Sequence, residues 1–253
     1  MPTGKKYYNS VLSVKMAPTS RNKKIKSKTN GAIVQKHKCP SSSQVTYANS
    51  VTNVMEAFTA FKTLHVKKKP RQEHIVFDLQ DYHAEDLSSN LRDTIFNLFE
   101  DNMKELYVKY ADGGYDAGQK YDELFEESAR YLLVWTRSEE NACARDTEIA
   151  TTNLCAFVHF RFVEEDNASI MYLYELQVCK SAQRMGLGKH LMQVLMLIGN
   201  SLKMDMLVLT VFKENYAAMD FYKKLNFEID ETSPSFCGDD SQSYEILSRS
   251  LQR

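Results

Sequence analysis

The sequence has little of the residues that mark fibrous, disulfide-stapled or membrane-spanning chains. Among 253 residues there are 9 glycines, 5 prolines and 1 tryptophan, which excludes a collagen-like or low-complexity chain. The five cysteines are an odd number and form no CxxC pair, which argues against a disulfide framework and predicts no metal site. No run of about 18 apolar residues is present, so we expect no membrane contact.

Acidic residues are absent from the first part of the chain. Met1–Met55 carries ten Lys or Arg and no Asp or Glu, whereas the remainder holds 33 acidic against 22 basic side chains. An acidic body of this kind attracts a cationic substrate and repels nucleic acid. The alternative, which the sequence leaves equally open, is that the surface charge only keeps the protein in solution.

The chain divides into three expected segments. Residues 1–44 have too few large apolar side chains to offset their ordering entropy, which predicts a disordered basic tail. Its cluster Lys23–Lys28 suggests nuclear import or a nucleic-acid patch, with a merely solvated tail as the alternative. Residues 45–70 are predicted to be a helical segment, because apolar residues at helical spacing indicate a helix from Tyr47 to Leu64.

Residues 71–253 alternate between strand and helix patterns. Ile75, Phe77 and Leu79 predict a strand, and Ser88 or Ser89 can cap the helix that follows. Further strands are predicted at 131–136, 154–163, 170–178, 206–212, 227–229 and 244–248, with helices at 121–128, 187–202 and 215–225 and loops at 111–118, 138–153 and 164–167. This order predicts an α/β fold with a mixed sheet flanked by helices.

A glycine-containing turn follows the strand that ends at Val178. Gly186 and Gly188 would let an anion approach the unpaired N–H groups where the next helix begins. Arg184 and Lys189 add positive charge, so the turn predicts a phosphate or pyrophosphate site. One GxG is weak evidence by itself, and an ordinary turn is the alternative. The spacing matches neither GxGxxG nor a P-loop.

Two motifs resemble the GNAT acetyltransferase superfamily. Gln183–Gly188 matches its coenzyme A loop, Q/R-x-x-G-x-G/A, and Asn215–Tyr222 matches its N-x-x-A-x-x-F-Y segment. Four further runs are similar to the NatD-type N-terminal acetyltransferases, and they lie at Tyr172–Val178, Leu209–Lys213, Phe227–Ser235 and Ser243–Ser248. The resemblance extends over about Phe96–Arg249. It departs at Tyr110–Tyr115, which lacks the family's tryptophans, and at Val163, where an Asp is expected.

The resemblance implies a GNAT fold with a mostly antiparallel sheet and acetyl-CoA as co-substrate, without a metal. It implies acetylation of the α-amino group of histones that begin Ser-Gly-Arg-Gly, by a monomer in the nucleus and cytoplasm. Two alternatives stay open. One is a GNAT enzyme for another amine, such as a lysine side chain or a polyamine. The other is a non-catalytic module whose basic tail holds nucleic acid.

The resemblance also assigns roles to single residues. Glu175 is the expected general base, directly or through a water, and Tyr222 is the expected acid for the leaving thiolate. Their alternatives are a solvated strand glutamate and a core aromatic. The cofactor positions are expected at the strand end, the turn and the next helix start, namely Gln177, Val178, Cys179, Gln183, Arg184, Met185, Gly186, Leu187, Gly188, Lys189, His190 and Asn215.

On the peptide side, hydroxyl and carboxylate side chains are expected to contact the substrate. The positions that match the family are Tyr107, Tyr172, Tyr174, Glu175, Thr210, Thr232 and Tyr244. Four further acids could pair substrate Arg or Lys, although each could equally be a surface acid; they are Glu164, Glu165, Asp239 and Asp240. Cys179 is not expected to relay the acyl group, since the superfamily uses direct attack.

Overall fold

The computed structural model describes residues 41–68, 73–137 and 154–251. The predicted tail therefore lies outside the described residues except at 41–44, and so does the polar loop at 138–153. Within the described ranges, no helix is long and apolar enough to cross a membrane. In the same ranges, no group of three or more His, Cys, Asp or Glu side chains could hold a metal ion.

Five helices and eight strands make up the fold of the described residues. The helices are α1 (Ser41–Ser50), α2 (Ser89–Tyr110), α3 (Ala117–Leu124), α4 (Leu187–Ser201) and α5 (Tyr216–Lys224). The strands are β1 (Thr63–Lys68), β2 (Glu73–His83), β3 (Arg130–Arg137), β4 (Leu154–Glu165), β5 (Ala168–Val178), β6 (Met206–Phe212), β7 (Glu228–Ile229) and β8 (Tyr244–Ser250). They confirm the predicted α/β fold.

All eight strands join one mixed sheet. Its order is β1-β2-β3-β4-β5-β6-β8-β7, and every neighbouring pair is antiparallel except β5 with β6. The parallel pair is joined through α4, as a parallel connection requires a crossover. At the β4–β5 hairpin, Asp166 and Asn167 both have positive φ angles, as a two-residue turn between twisted strands demands. Glu164 and Glu165, predicted to be in that turn, instead end β4.

The predicted continuous helix from Tyr47 to Leu64 is wrong. The first helix ends at Ser50, a short 3-10 turn covers Glu56–Phe61, and β1 begins at Thr63. A tertiary contact explains the break, because the Asp81 carboxylate on β2 accepts a hydrogen bond from the Val54 N–H at 3.0 Å. The sheet therefore begins before residue 71, within the segment that was predicted to be helical.

The short helix predicted at Tyr121–Ser128 lies four residues earlier along the chain. The carboxylate of Asp116 accepts a hydrogen bond from the Gln119 N–H at 2.9 Å and caps α3, which therefore begins at Ala117. Carboxylates are favoured at this position because they satisfy a free N–H of the first turn. The shift decides which α3 side chains face the sheet, Lys120 among them.

The sheet separates two apolar cores. Leu132, Phe160 and Leu173 point to the side covered by α4 and α5. Leu133 and Phe157 point to the opposite side, which α2 and α3 cover over β3 and β4. Alternate strand residues serve opposite faces, so each central strand contributes to both cores. Glu175 and the side chains that hold it lie on the α2 and α3 side, whereas Tyr222 and the turn before α4 lie on the α4 and α5 side.

Candidate active site

A cleft opens where the two parallel strands separate. Pairing of β5 with β6 covers only Ile170–Leu173 against Met206–Leu209, whereas β5 stays paired with β4 as far as Val178. The empty volume between the diverging strands, part of it open to solvent, is about 620 Å³. It is lined by Met103, Leu173, Tyr174, Glu175, Leu176, Gln177, Leu209, Thr210, Val211, Phe212, Asn215, Ala218 and Tyr222. Backbone groups of β5 that no longer meet β6 therefore face this cleft.

A β-bulge in β5 orients the predicted base. His159 of β4 pairs with Glu175 and Phe160 pairs with Leu173, so Tyr174 is an extra residue in the strand. Bulges of this kind redirect side chains next to functional sites. Tyr174 stacks on His159 with ring centroids 4.7 Å apart, and Glu175 points to the same side of the sheet, toward α2 and α3.

Glu175 is buried and held by three side chains. Only 4 % of the residue is exposed. Its Oε1 lies 2.7 Å from the Lys120 ammonium of α3, and its Oε2 accepts a hydrogen bond from the Gln177 amide at 2.7 Å. The Tyr107 hydroxyl of α2 donates to Oε1 at 3.5 Å. The structure thus excludes a solvated strand glutamate.

Side chains that sequence reasoning missed complete this network. The Asn102 amide of α2 donates to the Gln177 side-chain oxygen at 3.0 Å and to the Val178 carbonyl at 3.1 Å. On α3, Lys120 also pairs with Glu123 at 2.5 Å. Sequence spacing indicates only an ordinary i,i+3 surface pair there. Its burial follows from the way α3 packs against β5.

Electrostatics in the network favour a charged lysine. Burial by itself lowers the pKa of Lys120, but the Glu175 and Glu123 carboxylates outweigh it, so the net pKa is raised. Burial raises the pKa of Glu123 above its ordinary value, against the opposing effect of Lys120. Opposite charges within a few ångströms stabilise each other's ionised forms. Lys120 is therefore an ammonium at neutral pH.

Tyr222 of α5 lines the same cleft as Glu175. Burial raises its pKa above the ordinary value of 10.0, and the nearby negative charge of Glu175 raises it further. The hydroxyl therefore stays protonated at neutral pH and can donate a proton. Tyr222 also packs against Phe227, with ring centroids 5.6 Å apart, so it is a core aromatic and a cleft side chain at once.

In the predicted anion turn, no side chain caps the first residues of α4. Gly186 is the N-cap of α4, has a φ of +86°, and places no side chain over the free N–H groups of the first turn. Such left-handed backbone strongly favours glycine. At Gly188, a Cβ would lie 3.4 Å from the Phe221 ring of α5, which is an ordinary van der Waals contact, so the packing of α5 does not by itself require glycine there. The Gln183 amide closes the turn by donating to the Val178 carbonyl at 3.0 Å. Exposed Arg184 adds a guanidinium.

Other predicted cofactor positions make contacts within the protein, some through their side chains and some through their backbone. The His190 Nε2 lies 2.9 Å from the Phe61 carbonyl, so its side chain is turned to the N-terminal segment and not to the turn. The Asn215 side chain caps α5 by accepting from the Ala218 N–H at 3.2 Å and also lines the cleft. The Cys179 N–H donates to the Cys155 carbonyl at 2.7 Å. Met185 is half-buried against the α4 core.

The structure brings most of the predicted peptide positions together. Tyr174 and Thr210 line the cleft, and the Tyr172 hydroxyl lies 2.5 Å from the Thr210 hydroxyl. Tyr107 reaches Glu175, whereas Tyr244 on β8 is half-buried opposite Phe212 of β6. Burial raises the pKa of Tyr244, and the charges of two loop carboxylates add to this effect, those of Asp112 and Asp239.

Thr232 is separate from this group. Its hydroxyl donates to the Asp230 carboxylate at 2.6 Å within the turn after β7, and it is not among the residues that line the cleft. In the same segment, the Asp240 carbonyl accepts a hydrogen bond from the Lys213 ammonium at 3.2 Å. Lys213 also lies 3.5 Å from Glu245, and these contacts tie the segment between β7 and β8 to the end of β6.

Several solved structures are similar to this chain in fold. An acetyltransferase from Streptococcus agalactiae is similar over 69% of this chain and 98% of its own, with 11% identity and a TM-score of 0.50. Ard1 from Thermoplasma volcanium matches over 70% and 99%, with 16% identity and a TM-score of 0.45. NAA60 from Arabidopsis thaliana, solved in complex with acetyl-CoA, matches over 69% and 98%, with 12% identity and a TM-score of 0.47. At these identities the likeness concerns the fold alone.

The family match is more direct, because it covers the residues of the cleft and the turn. The model of the acetyltransferase (GNAT) family matches residues 95–227, just over half of the chain. That range contains the bulge in β5, the Gln183–Gly188 turn and the Asn215–Tyr222 segment. The chain belongs to the acetyltransferase (GNAT) family.

Proposed function

We propose that this protein transfers an acetyl group from acetyl-CoA to the α-amino group of histone-type N-terminal peptides. One observation carries the proposal: a single cleft holds the paired carboxylate of Glu175 and the protonated hydroxyl of Tyr222. Both groups would accelerate transfer from a thioester to an amine, since one accepts the amine proton and the other protonates the leaving sulfur.

The turn before α4 fits the anionic part of acetyl-CoA. Free N–H groups and the helix dipole favour phosphate at a helix start, and Gly186 leaves that start uncovered. Arg184 and Lys189 are exposed beside it. Asn215 would hold the arm of the co-substrate inside the cleft. When bound, acetyl-CoA supplies the acetyl thioester.

The chemistry assigned to the residues is direct attack by the amine. The amine nitrogen forms a bond to the acetyl carbon, and the bond from that carbon to sulfur breaks. Glu175 takes the proton from the amine, directly or through one water, at the acceptor positions that Lys120 and Gln177 leave free on its two oxygens. A free α-amino group has a pKa of about 8, so a weak base is sufficient. Tyr222 gives its proton to the thiolate.

The peptide side supports an N-terminal substrate with cationic residues. Tyr174 and Thr210 offer hydroxyl groups along the cleft wall, and the Tyr172 hydroxyl lies against that of Thr210, which suits the backbone of a short peptide. The excess of acidic over basic side chains after Met55 attracts Arg and Lys in the substrate. The NatD-type resemblance of the runs around Tyr172 and Phe227 favours histone termini. We likewise propose a monomer that acts in the nucleus and cytoplasm.

A peptide array with mass-spectrometric placement of the acetyl group tests the proposal. We expect acetylation of a Ser-Gly-Arg-Gly peptide with a free N terminus and none of the same peptide with a blocked N terminus. Acetyl transfer to the blocked peptide would instead indicate a lysine side-chain enzyme, and transfer to spermidine a polyamine enzyme. No turnover on any amine would favour a non-catalytic module, which binding of nucleic acid through the basic tail would then support.

A further inference from the structure

Lys120 is one of the most deeply buried charged side chains of the described residues, at 5% exposure. Its ammonium lies 2.7 Å from Glu175 and 2.5 Å from Glu123. It also lies over the aromatic rings of Phe99 and Tyr107, at 4.8 Å and 5.3 Å from their centroids. A buried lysine carries a large desolvation cost, and this one is retained where two carboxylates and two aromatic faces surround it.

The polar and charged groups around the pair come from two further elements, β4 and α2. On β4, the Arg161 guanidinium donates to the Glu123 carbonyl and to the Glu126 carboxylate. His159, beside Arg161, is neutral because burial, and after it the charges of Arg161 and Lys120, hold its pKa well below 6.5. The α2 helix contributes the Tyr107 hydroxyl. The only cation in an ion pair with Glu175 among the described residues is therefore Lys120.

Glu123 shares the same ammonium. Its carboxylate is almost as buried as that of Glu175, with 8% against 3% of the side chain exposed. Two carboxylates beside one cation disfavour each other's charge, so the ammonium has to neutralise both. Removing the lysine would expose each carboxylate to the other with no cation between them.

We propose that Lys120 is a positioning residue for Glu175, which places a positive charge beside its carboxylate and fixes the direction of its oxygens toward the cleft. Lys120 does not line the cleft, so it acts through Glu175 and not on the substrate. The inference rests on the proposed function, in which Glu175 is the base. Glu123 has the opposite effect, because it competes for the same positive charge.

The test compares Lys120→Met, Lys120→Arg and the control Lys104→Met, which removes a surface lysine from a pair with Glu100. One readout is ¹³C NMR titration of the Glu175 carboxyl in glutamate-labelled protein, assigned with Glu175→Gln. The other is the acidic limb of kcat/KM between about pH 6 and pH 9. In Lys120→Met, both midpoints should rise by about one pH unit or more, and kcat/KM at pH values below both midpoints should fall about tenfold for each unit of that rise and recover at higher pH.

Lys120→Arg should keep both midpoints near those of the wild type, because the guanidinium preserves the charge and binds carboxylates well. Lys104→Met should match the wild type. A Lys120→Met protein whose Glu175 midpoint equals that of the wild type would overturn the proposal. So would Lys120→Arg behaving like Lys120→Met, since that result indicates packing and not charge.

Glu123→Gln keeps the proposal testable if Lys120→Met does not fold. Losing the competing carboxylate should move the Glu175 midpoint and the acidic limb to lower pH, opposite to Lys120→Met. A midpoint that stays in place or rises contradicts the proposal. A wild-type protein that acetylates no amine refutes the proposed function instead, and the NMR titration still decides whether Lys120 controls Glu175.

Discussion

The orientation of the Glu175 carboxylate depends on the shape of its strand and on the side chains around it. The bulge at Tyr174 turns it toward α2 and α3, and Lys120 and Gln177 then hold its two oxygens. An isolated buried carboxylate would be costly. Here each oxygen has a partner, and the remaining acceptor capacity of the two oxygens can serve a water.

Replacing Glu175 with Gln should lower kcat at neutral pH by about 100-fold, because general-base assistance is lost. The Kd for acetyl-CoA should change less than about twofold, since the proposed anion site at Gly186 is left intact. Steady-state kinetics with isothermal titration calorimetry would measure both. The matched control is Glu100→Gln, a surface carboxylate paired with Lys104. A Glu175→Gln enzyme with an unchanged rate would remove Glu175 as the base.

At the scale of an element, α4 depends on the conformation of its first residues. Gly186 and Arg184 both have positive φ angles before Leu187 begins the helix. That left-handed backbone aims the first N–H groups out of the turn, away from any side-chain cap. A Ser or Asp cap would accept hydrogen bonds from the same N–H groups and leave fewer of them free to bind a phosphate.

Gly186→Ala should therefore reduce affinity as well as stability. Left-handed backbone costs an L-residue about 1–2 kcal/mol, and a shifted turn should weaken acetyl-CoA binding by about tenfold, equivalent to 1.4 kcal/mol. Gly238→Ala is the control, because Gly238 has the same φ of +86° and equally open space at its Cβ. Urea unfolding should show similar losses in both, whereas calorimetry should show weaker binding only in Gly186→Ala. Equal affinities in the two variants would argue against an anion site here.

At the scale of the whole molecule, a buried histidine makes folding sensitive to pH. His159 is fully buried between the rings of Tyr131 and Tyr174, at 5.3 Å and 4.7 Å. Its Nε2 accepts a hydrogen bond from the Arg161 Nε at 3.2 Å. Burial, followed by the charges of Arg161 and Lys120, holds its pKa well below 6.5.

The sign of the effect follows from proton binding. Below about pH 6.5 the unfolded chain protonates this histidine while the native state does not, so stability falls as the pH falls through that value. One such group contributes up to about 1.4 kcal/mol per pH unit. Urea unfolding at about pH 7.5 and about pH 5.5 should show a smaller loss in His159→Phe than in the wild type. Equal losses would mean that His159 is protonated in the native state.

Local signals in the sequence determined most of the element order. The strand Met206–Phe212 was predicted with its correct bounds. An apolar run of this length is typical of a buried strand and is shorter than a typical helix. The start of α2 was also predicted, since Ser88 accepts the hydrogen bond from the Leu91 N–H that marks a cap. Gly186 was placed in a turn for the same reason, as turn chemistry depends on neighbours along the chain, whereas Asn215 was singled out by the family resemblance.

The tertiary structure alone decided the rest, because those features depend on residues far apart in sequence. The pairing of Asp81 with Val54 ended the predicted first helix, and His190 turned toward Phe61. The separation of β5 from β6 made the cleft. The spacing of residues in the sequence does not predict that Lys120 is buried against Glu175, because a lysine on a short helix normally lies in solvent. Only the packing of α3 on the sheet made it a partner of the proposed base.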